Sequence, residues 1–198
     1  MNRINVNQIK QVGAFTFLYF LAIGLGVLVG NLVDHQGNMF YAPAFSALVG
    51  GGIYQVYVEK IQRTGAILVV ALVIGAFFLF TRHGAGAFLP ALVGGLLAEL
   101  VAGCGHYQSK LGNAVSFLLF SFTTTGPILM MWFQPASYRA SLLARGKSMD
   151  YIERVMVPSN METVTWFVLT VILGAGLGWG LSNILLPLLA KKGDKDAQ

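Results

Sequence analysis

Three short polar groups, set between long apolar stretches, hold the residues able to grip a small molecule. The first is Asp34, His35, Gln36, Asn38, Met39 and Tyr41; the second is Thr81, Arg82 and His83; the third is Trp132, Gln134, Tyr138 and Arg139. A neutral imidazole ligates a metal or accepts a hydrogen bond from a polar ligand. A guanidinium pairs a carboxylate through two parallel bonds, so Arg82 reads either as an anion binder or as an interface residue whose head reaches water. Histidine and methionine together are also an axial pair for haem iron. Other chemistry is excluded: there is no HxxxH, HExxH or CxxC spacing for a dedicated metal site and no Ser/His/Asp or paired-carboxylate set for hydrolysis. No catalytic residue and no resident cofactor are expected, and the chain does not read as an enzyme.

The elements that must position these groups are set by charge. Six stretches lack Asp, Glu, Lys and Arg altogether: Gln11–Val33, His35–Val58, Thr64–Thr81, His83–Ala98, Leu111–Tyr138 and Thr163–Ala190. A membrane-crossing helix needs about 20 apolar residues, and in hydrocarbon only helices and closed barrels satisfy their backbone. Charged residues make up 11% of the 198 and mean hydropathy is +0.68, against about 25% charged in a soluble domain. The chain reads as an all-α, polytopic membrane protein: one domain over residues 1–198, a six-helix bundle in a prokaryotic plasma membrane. The expected spans are Val12–Asn31, Ala42–Val58, Ala66–Phe80, Ala87–Val101, Ala114–Trp132 and Thr163–Leu189. They leave no room for an ATP-hydrolysing domain, and no GxxxxGK[ST] loop occurs.

Lys and Arg counts orient the spans. One side has Arg3, Lys10, Lys60, Arg63, Lys110, Lys191, Lys192 and Lys195; the other has Arg82, Arg139, Arg145, Lys147 and Arg154, mostly in one long loop. Long loops count less in this rule, so both termini are expected in the cytoplasm and the three polar groups outside. The net charge of +5 is then topological, and no nucleic-acid partner is expected. The long loop, 133–162, contains an amphipathic stretch over Ser137–Met156 broken near Gly146. That is either an interfacial helix or a lid over a site. If the bundle is compact, the three groups converge on one pocket.

Small residues mark contact faces. Ala22, Gly26 and Gly30 lie at spacing four on the first span, which allows close helix approach, either within the bundle or against another subunit. The Gly174–Gly180 stretch reads as internal packing. Glu99 is the one charge inside an expected span; such carboxylates are costly and mark function by default, but here it also has the options of reaching water or pairing with Lys110. Pro127 breaks a helical ladder, and Ser121, Thr123, Thr124 and Thr125 before it are placed to satisfy freed carbonyls. Cys104 is the sole cysteine, so no internal disulfide forms.

Several motifs in order carry a family resemblance. They are Val49-Gly50-Gly51-Gly52-Ile53-Tyr54, His83-Gly84 followed by Pro90, Gly94-Gly95-Leu96-Leu97-Ala98-Glu99-Leu100, Tyr107-Gln108-Ser109 with Asn113, and Phe120-Ser121 with Gly126-Pro127. Over nearly its whole length the chain resembles the Trep_Strep, or MptD-like, family, regarded as substrate-binding (S) components of energy-coupling factor (ECF) transporters. The resemblance implies a six-helix subunit that captures a micronutrient outside the cell. It further implies association with a membrane T component and two cytoplasmic ATPases, and toppling in the membrane to release the substrate inside. Many S components dock through Ala-x-x-x-Ala on the first helix; this chain has Gly13, Ala14 and Phe17 there, with Ala22 and Gly26 further along. Haem or another tetrapyrrole is the leading substrate expectation, with His83 or His35 on iron and Arg82 or Arg139 on a propionate. Phe40, Tyr41, Trp132 and Tyr138 would lie against the ring. A vitamin-like compound is the alternative substrate, and a self-sufficient secondary transporter or channel the alternative function.

Overall fold

The computed structural model describes residues 6–196, with side chains through Lys191. Arg3 therefore lies outside the described residues, as do the side chains of Lys192 and Lys195. Among the described residues the regular structure is all helical: α1 (Val6–Asp34), α2 (Ala42–Ile61), α3 (Ala66–Phe80), α4 (Phe88–Cys104), α5 (Lys110–Ser121), α6 (Gly126–Phe133), α7 (Pro135–Ala144), α8 (Met149–Val155) and α9 (Met161–Asp196). Single 3-10 turns, Ala85–Ala87 and Phe122–Thr124, precede α4 and α6.

Three helical segments are long and apolar enough to cross a membrane: Val6–Asp34, Ala85–Cys104 and Met161–Lys191. The pair α5 and α6 makes a fourth if it acts as one broken span. Of the remaining expected spans, α3 has the expected bounds but only 15 residues. The expected continuous helix over Ala114–Trp132 is broken, with a bend of 55° between Lys110–Thr124 and Gly126–Phe133. The cause is Pro127, seated in the first turn of α6, where its missing N–H costs nothing. The hydroxyls ahead of it bond back to the preceding turns: Ser121 Oγ donates to the Phe117 carbonyl at 2.8 Å, Thr124 Oγ1 to the Ser121 carbonyl at 3.2 Å and Thr125 Oγ1 to the Phe122 carbonyl at 2.7 Å; none reaches the Thr123 carbonyl, four residues before Pro127. Thr123 Oγ1 is buried without a partner.

The helix α2 is the inner element, and its composition explains why. It carries Ser46, Tyr54, Gln55 and Tyr57, all buried, and such groups need protein partners in place of lipid. Tyr54 and Ser116 hydroxyls are 2.6 Å apart, and Ser116 donates on to the Ala98 carbonyl at 2.6 Å. Gln55 accepts from Ser182 and donates to Asn183 Oδ1 at 3.1 Å. Tyr57 donates to the Ala66 carbonyl at 2.6 Å. Glycines let α1 and α9 close on it. A Cβ at Gly26 would strike Ser46, one at Gly174 would strike the Ala44 carbonyl, and one at Gly51 would strike the Gly178 backbone. The stripe Ala22, Gly26 and Gly30 thus faces the interior, while Gly13, Ala14 and Phe17 are exposed.

Glu99 is 8% exposed and caps a helix. Its Oε2 accepts the backbone N–H groups of Ile67 at 2.9 Å and Leu68 at 3.1 Å, and its Oε1 accepts the Tyr107 hydroxyl. The start of α3 has no side-chain cap of its own, so a carboxylate from α4 meets the orphan donors there. Burial and this hydrogen bond push the Tyr107 phenol up to about 12.

Three substitutions test these contacts by unfolding in mixed detergent. Gly51→Ala is expected to destabilise by roughly 1–3 kcal/mol through overpacking, whereas Gly176→Ala, with nothing within 4 Å, stays within about 0.5 kcal/mol of wild type. Glu99→Leu is expected to cost roughly 1–3 kcal/mol for each buried donor left without an acceptor, and to loosen hydrogen-exchange protection at the first turn of α3 before that of α2.

Candidate functional site

One end of the bundle gathers the end of α1, the starts of α2, α4 and α9, and the short helices α6 to α8. A cavity of about 400 Å³ opens there between the α1–α2 loop and the start of α9. From α1 and the loop come Asp34, Gln36, Asn38, Phe40 and Tyr41; from the other side come Val157, Glu162, Thr163 and Trp166. Volume and lining fit a small-molecule site, which is concave with a few placed polar groups.

Each wall is fixed by local structure. Asn38 is 8% exposed, and its Oδ1 accepts the Phe40 N–H at 2.8 Å, closing a turn. The Phe40 ring meets Tyr41 edge-on at 5.1 Å and lies tilted on Phe167 at 5.2 Å. Trp166 Nε1–H donates to the Tyr41 hydroxyl at 3.2 Å across the cavity wall. Trp132 stands behind: its Nε1–H donates to the Val157 carbonyl at 3.1 Å and its ring meets Phe167 at 5.3 Å.

The expected amphipathic stretch folds as α7 and α8, with Gly146 in the left-handed region (φ 74°) between them. It buries Tyr138, Leu142, Ile152 and Val155. Tyr151 of α8 donates its hydroxyl to the Gly37 carbonyl at 2.9 Å, which ties this segment to the loop that forms the cavity.

The second polar group stands apart. His83 is buried and meets the Phe78 ring at 5.6 Å. Thr81 Oγ1 donates to the Phe77 carbonyl at 2.7 Å and lies 2.8 Å from His83 Nδ1. The hydroxyl hydrogen being committed, Nδ1 carries the proton and Nε2 keeps the lone pair, an assignment made from the network. Burial, with the Arg145 guanidinium second, lowers the imidazole from 6.5 to about 4. It is therefore neutral at pH 7, an acceptor or ligand at Nε2. Burial likewise raises the Tyr138 phenol, offset in part by Arg145.

The three polar groups meet at one end, but they do not share one lining. Asn38 and Tyr41 line the cavity and Trp132 supports it, whereas His35, Met39, Arg82, His83, Gln134, Tyr138 and Arg139 are not among its lining residues. His35, Arg82, Gln134 and Arg139 are exposed. Val157, Glu162, Thr163 and Trp166 escape the sequence reading. The available signal is a tryptophan opening an apolar run, as in an interfacial belt, beside Glu162 in the first turn of the final helix. No group of three or more His, Cys, Asp or Glu side chains able to hold a metal occurs among the described residues.

The model of a family described as "Hypothetical bacterial integral membrane protein (Trep_Strep)" matches residues 7–187. The chain belongs to the Trep_Strep family. It is an integral membrane protein, and its several apolar helices fit a multi-pass bacterial one. The Trep_Strep match spans every residue of the cavity and the His83 turn. No curated protein and no solved structure matches the chain.

The depressed His83 imidazole sets a pH dependence. The unfolded chain takes up this proton below about 6.5 and the folded chain only below about 4, so stability falls as pH drops through that window and is level above it. The thermal midpoint in detergent is expected to decline from about pH 6.5 to 4, and His83→Gln is expected to remove that part of the slope.

Proposed function

We propose that this chain is the substrate-binding membrane subunit of an ECF-type ABC importer. The observation that carries the reading is the cavity of about 400 Å³ at one end of the bundle, with aromatic and polar walls held by hydrogen bonds. In this reading the chain crosses the membrane six times, its broken and short helices included. Both termini lie in the cytoplasm and the cavity faces outward. A micronutrient enters the cavity, α7 and α8 cover it, and a membrane T component with two cytoplasmic ATPases drives toppling and inward release. The exposed Gly13, Ala14 and Phe17 on α1 form the docking face. Ala22 and Gly26, occupied by packing on α2, contribute through the position of the helix.

The cavity lining has no histidine and no arginine. Haem placed there meets neither the histidine expected on its iron nor an arginine for its propionates, so the lining favours the vitamin-like alternative over a tetrapyrrole. A self-sufficient secondary transporter is the second reading, supported by the bent α5–α6 pair, since broken helices are common in that class.

Purification from native membranes separates the two. The expected result is recovery of a T component and two ATPases with the tagged chain, and ATP-dependent uptake only when all are present. Uptake by the purified chain alone in proteoliposomes would overturn the importer reading.

A further inference from the structure

The cavity also has a sign. Among its lining residues are two carboxylates, Asp34 and Glu162, and no lysine or arginine. Glu162 has an ordinary explanation as an acid in the first turn of α9, where the helix dipole favours it. The charge of Asp34 is not favoured by its helix: it ends α1 with no basic residue in that turn, where the dipole opposes a negative charge. Its Oδ1 accepts the Gln36 N–H at 3.0 Å, a bond that an uncharged amide oxygen would make as well. The nearby cations Lys147 and Arg154 lie over the Tyr151 ring, at 4.7 and 5.5 Å from its centre.

Two further features point to what would answer these charges. Phe40, Tyr41 and Trp166 line the same space, and aromatic faces attract cations. The Trp166 N–H is committed to Tyr41, which fixes both rings. Asn38, buried and lining the cavity, has its Oδ1 occupied by the Phe40 N–H. That bond assigns the amide orientation, and its Nδ2 has no partner among the described residues. The sealed, unpartnered side-chain atoms are Asn31 Oδ1, Asn113 Oδ1 and Thr123 Oγ1; Asn38 Nδ2 is open to the cavity, a donor free to meet a ligand acceptor.

We infer that the cavity takes a small planar cation, an amine or quaternised heteroaromatic that also bears one hydrogen-bond acceptor. Its charge lies toward Asp34 and Glu162, its ring against Trp166 and Tyr41, and its acceptor on Asn38 Nδ2. The inference rests on the cavity being the substrate site of the binding subunit proposed above.

The test uses the full chain in lipid nanodiscs and three probes of one shape: phenethylamine, 3-phenylpropionamide and 3-phenylpropionate, read by saturation-transfer NMR and calorimetry. The cation is expected to bind roughly tenfold tighter than the anion. Asp34→Asn, which keeps the acceptor for Gln36, is expected to erase the preference, and Trp166→Leu to abolish binding. Equal or tighter binding of the anion overturns the inference, as does cation binding that neither variant alters. In parallel, small molecules captured from growth extract by wild type but not by Trp166→Leu are identified by mass spectrometry. A captured compound that is cationic at pH 7 supports the inference even if the probes bind weakly. A captured anion overturns the charge assignment and leaves the binding-subunit reading standing. No captured compound and no probe binding removes both.

Discussion

Close backbone contact at glycine is the constraint on which the rest of this structure depends. Gly26 and Gly30 bring α1 onto the start of α2, and Gly174 and Gly178 bring α9 onto the same helix. No larger residue fits at Gly26, Gly174 or Gly178 without moving backbone or a short side chain. Lipid tails are as apolar as leucine, so helices here associate by fit and by buried hydrogen bonds. The glycines supply the fit; Tyr54, Gln55 and Ser182 supply the bonds. Because α1, α2 and α9 converge this tightly, the end of one and the starts of the other two are near neighbours. The cavity is the space their connecting segments enclose.

The opposite end carries an added device. Glu99 reaches from α4 to the first turn of α3, and Tyr107 closes over it. A carboxylate inside a membrane span reads as functional by default, yet here its oxygens are occupied by two backbone donors and a phenol. Close contact at glycine recurs here, with Gly95 of α4 against Ala71 of α3 and Gly75 of α3 against Phe88 and Ala91, and the side-chain cap from Glu99 is added to it. The broken α5–α6 connection runs between the two ends, with three hydroxyls bonded back to the carbonyls of preceding turns.

Much of the fold was legible because hydrocarbon imposes it locally. Charge-free stretches located the helices, and α3 came out with its expected bounds. The bend at Pro127 was readable from ring geometry, whereas the hydroxyls before it bond to earlier carbonyls and Thr123 Oγ1 to none. The break between α7 and α8 was readable from Gly146. The site was legible only in part. Asn38 and Tyr41 were marked by polarity beside an apolar run, but Glu162 and Trp166 stand over 120 positions away from them, and nothing local ties them to that loop. His83 is the converse case, a residue of evident chemistry whose turn packs on Phe78 and outside the cavity lining.

What the sequence determined by itself is the solvent: too few charges and too many long apolar runs for water, hence helices whose backbone is satisfied within each segment. It also determined which positions admit close approach, since only a missing Cβ does so. What tertiary structure alone decided is which faces meet. Ala22 and Gly26 serve equally well on an inner or an outer face until α2 is laid against them, and Asp34 is an unremarkable end of helix until α9 brings Glu162 and Trp166 alongside. Periodicity along one helix carries no record of its neighbour's identity, and the cavity here is made between helices.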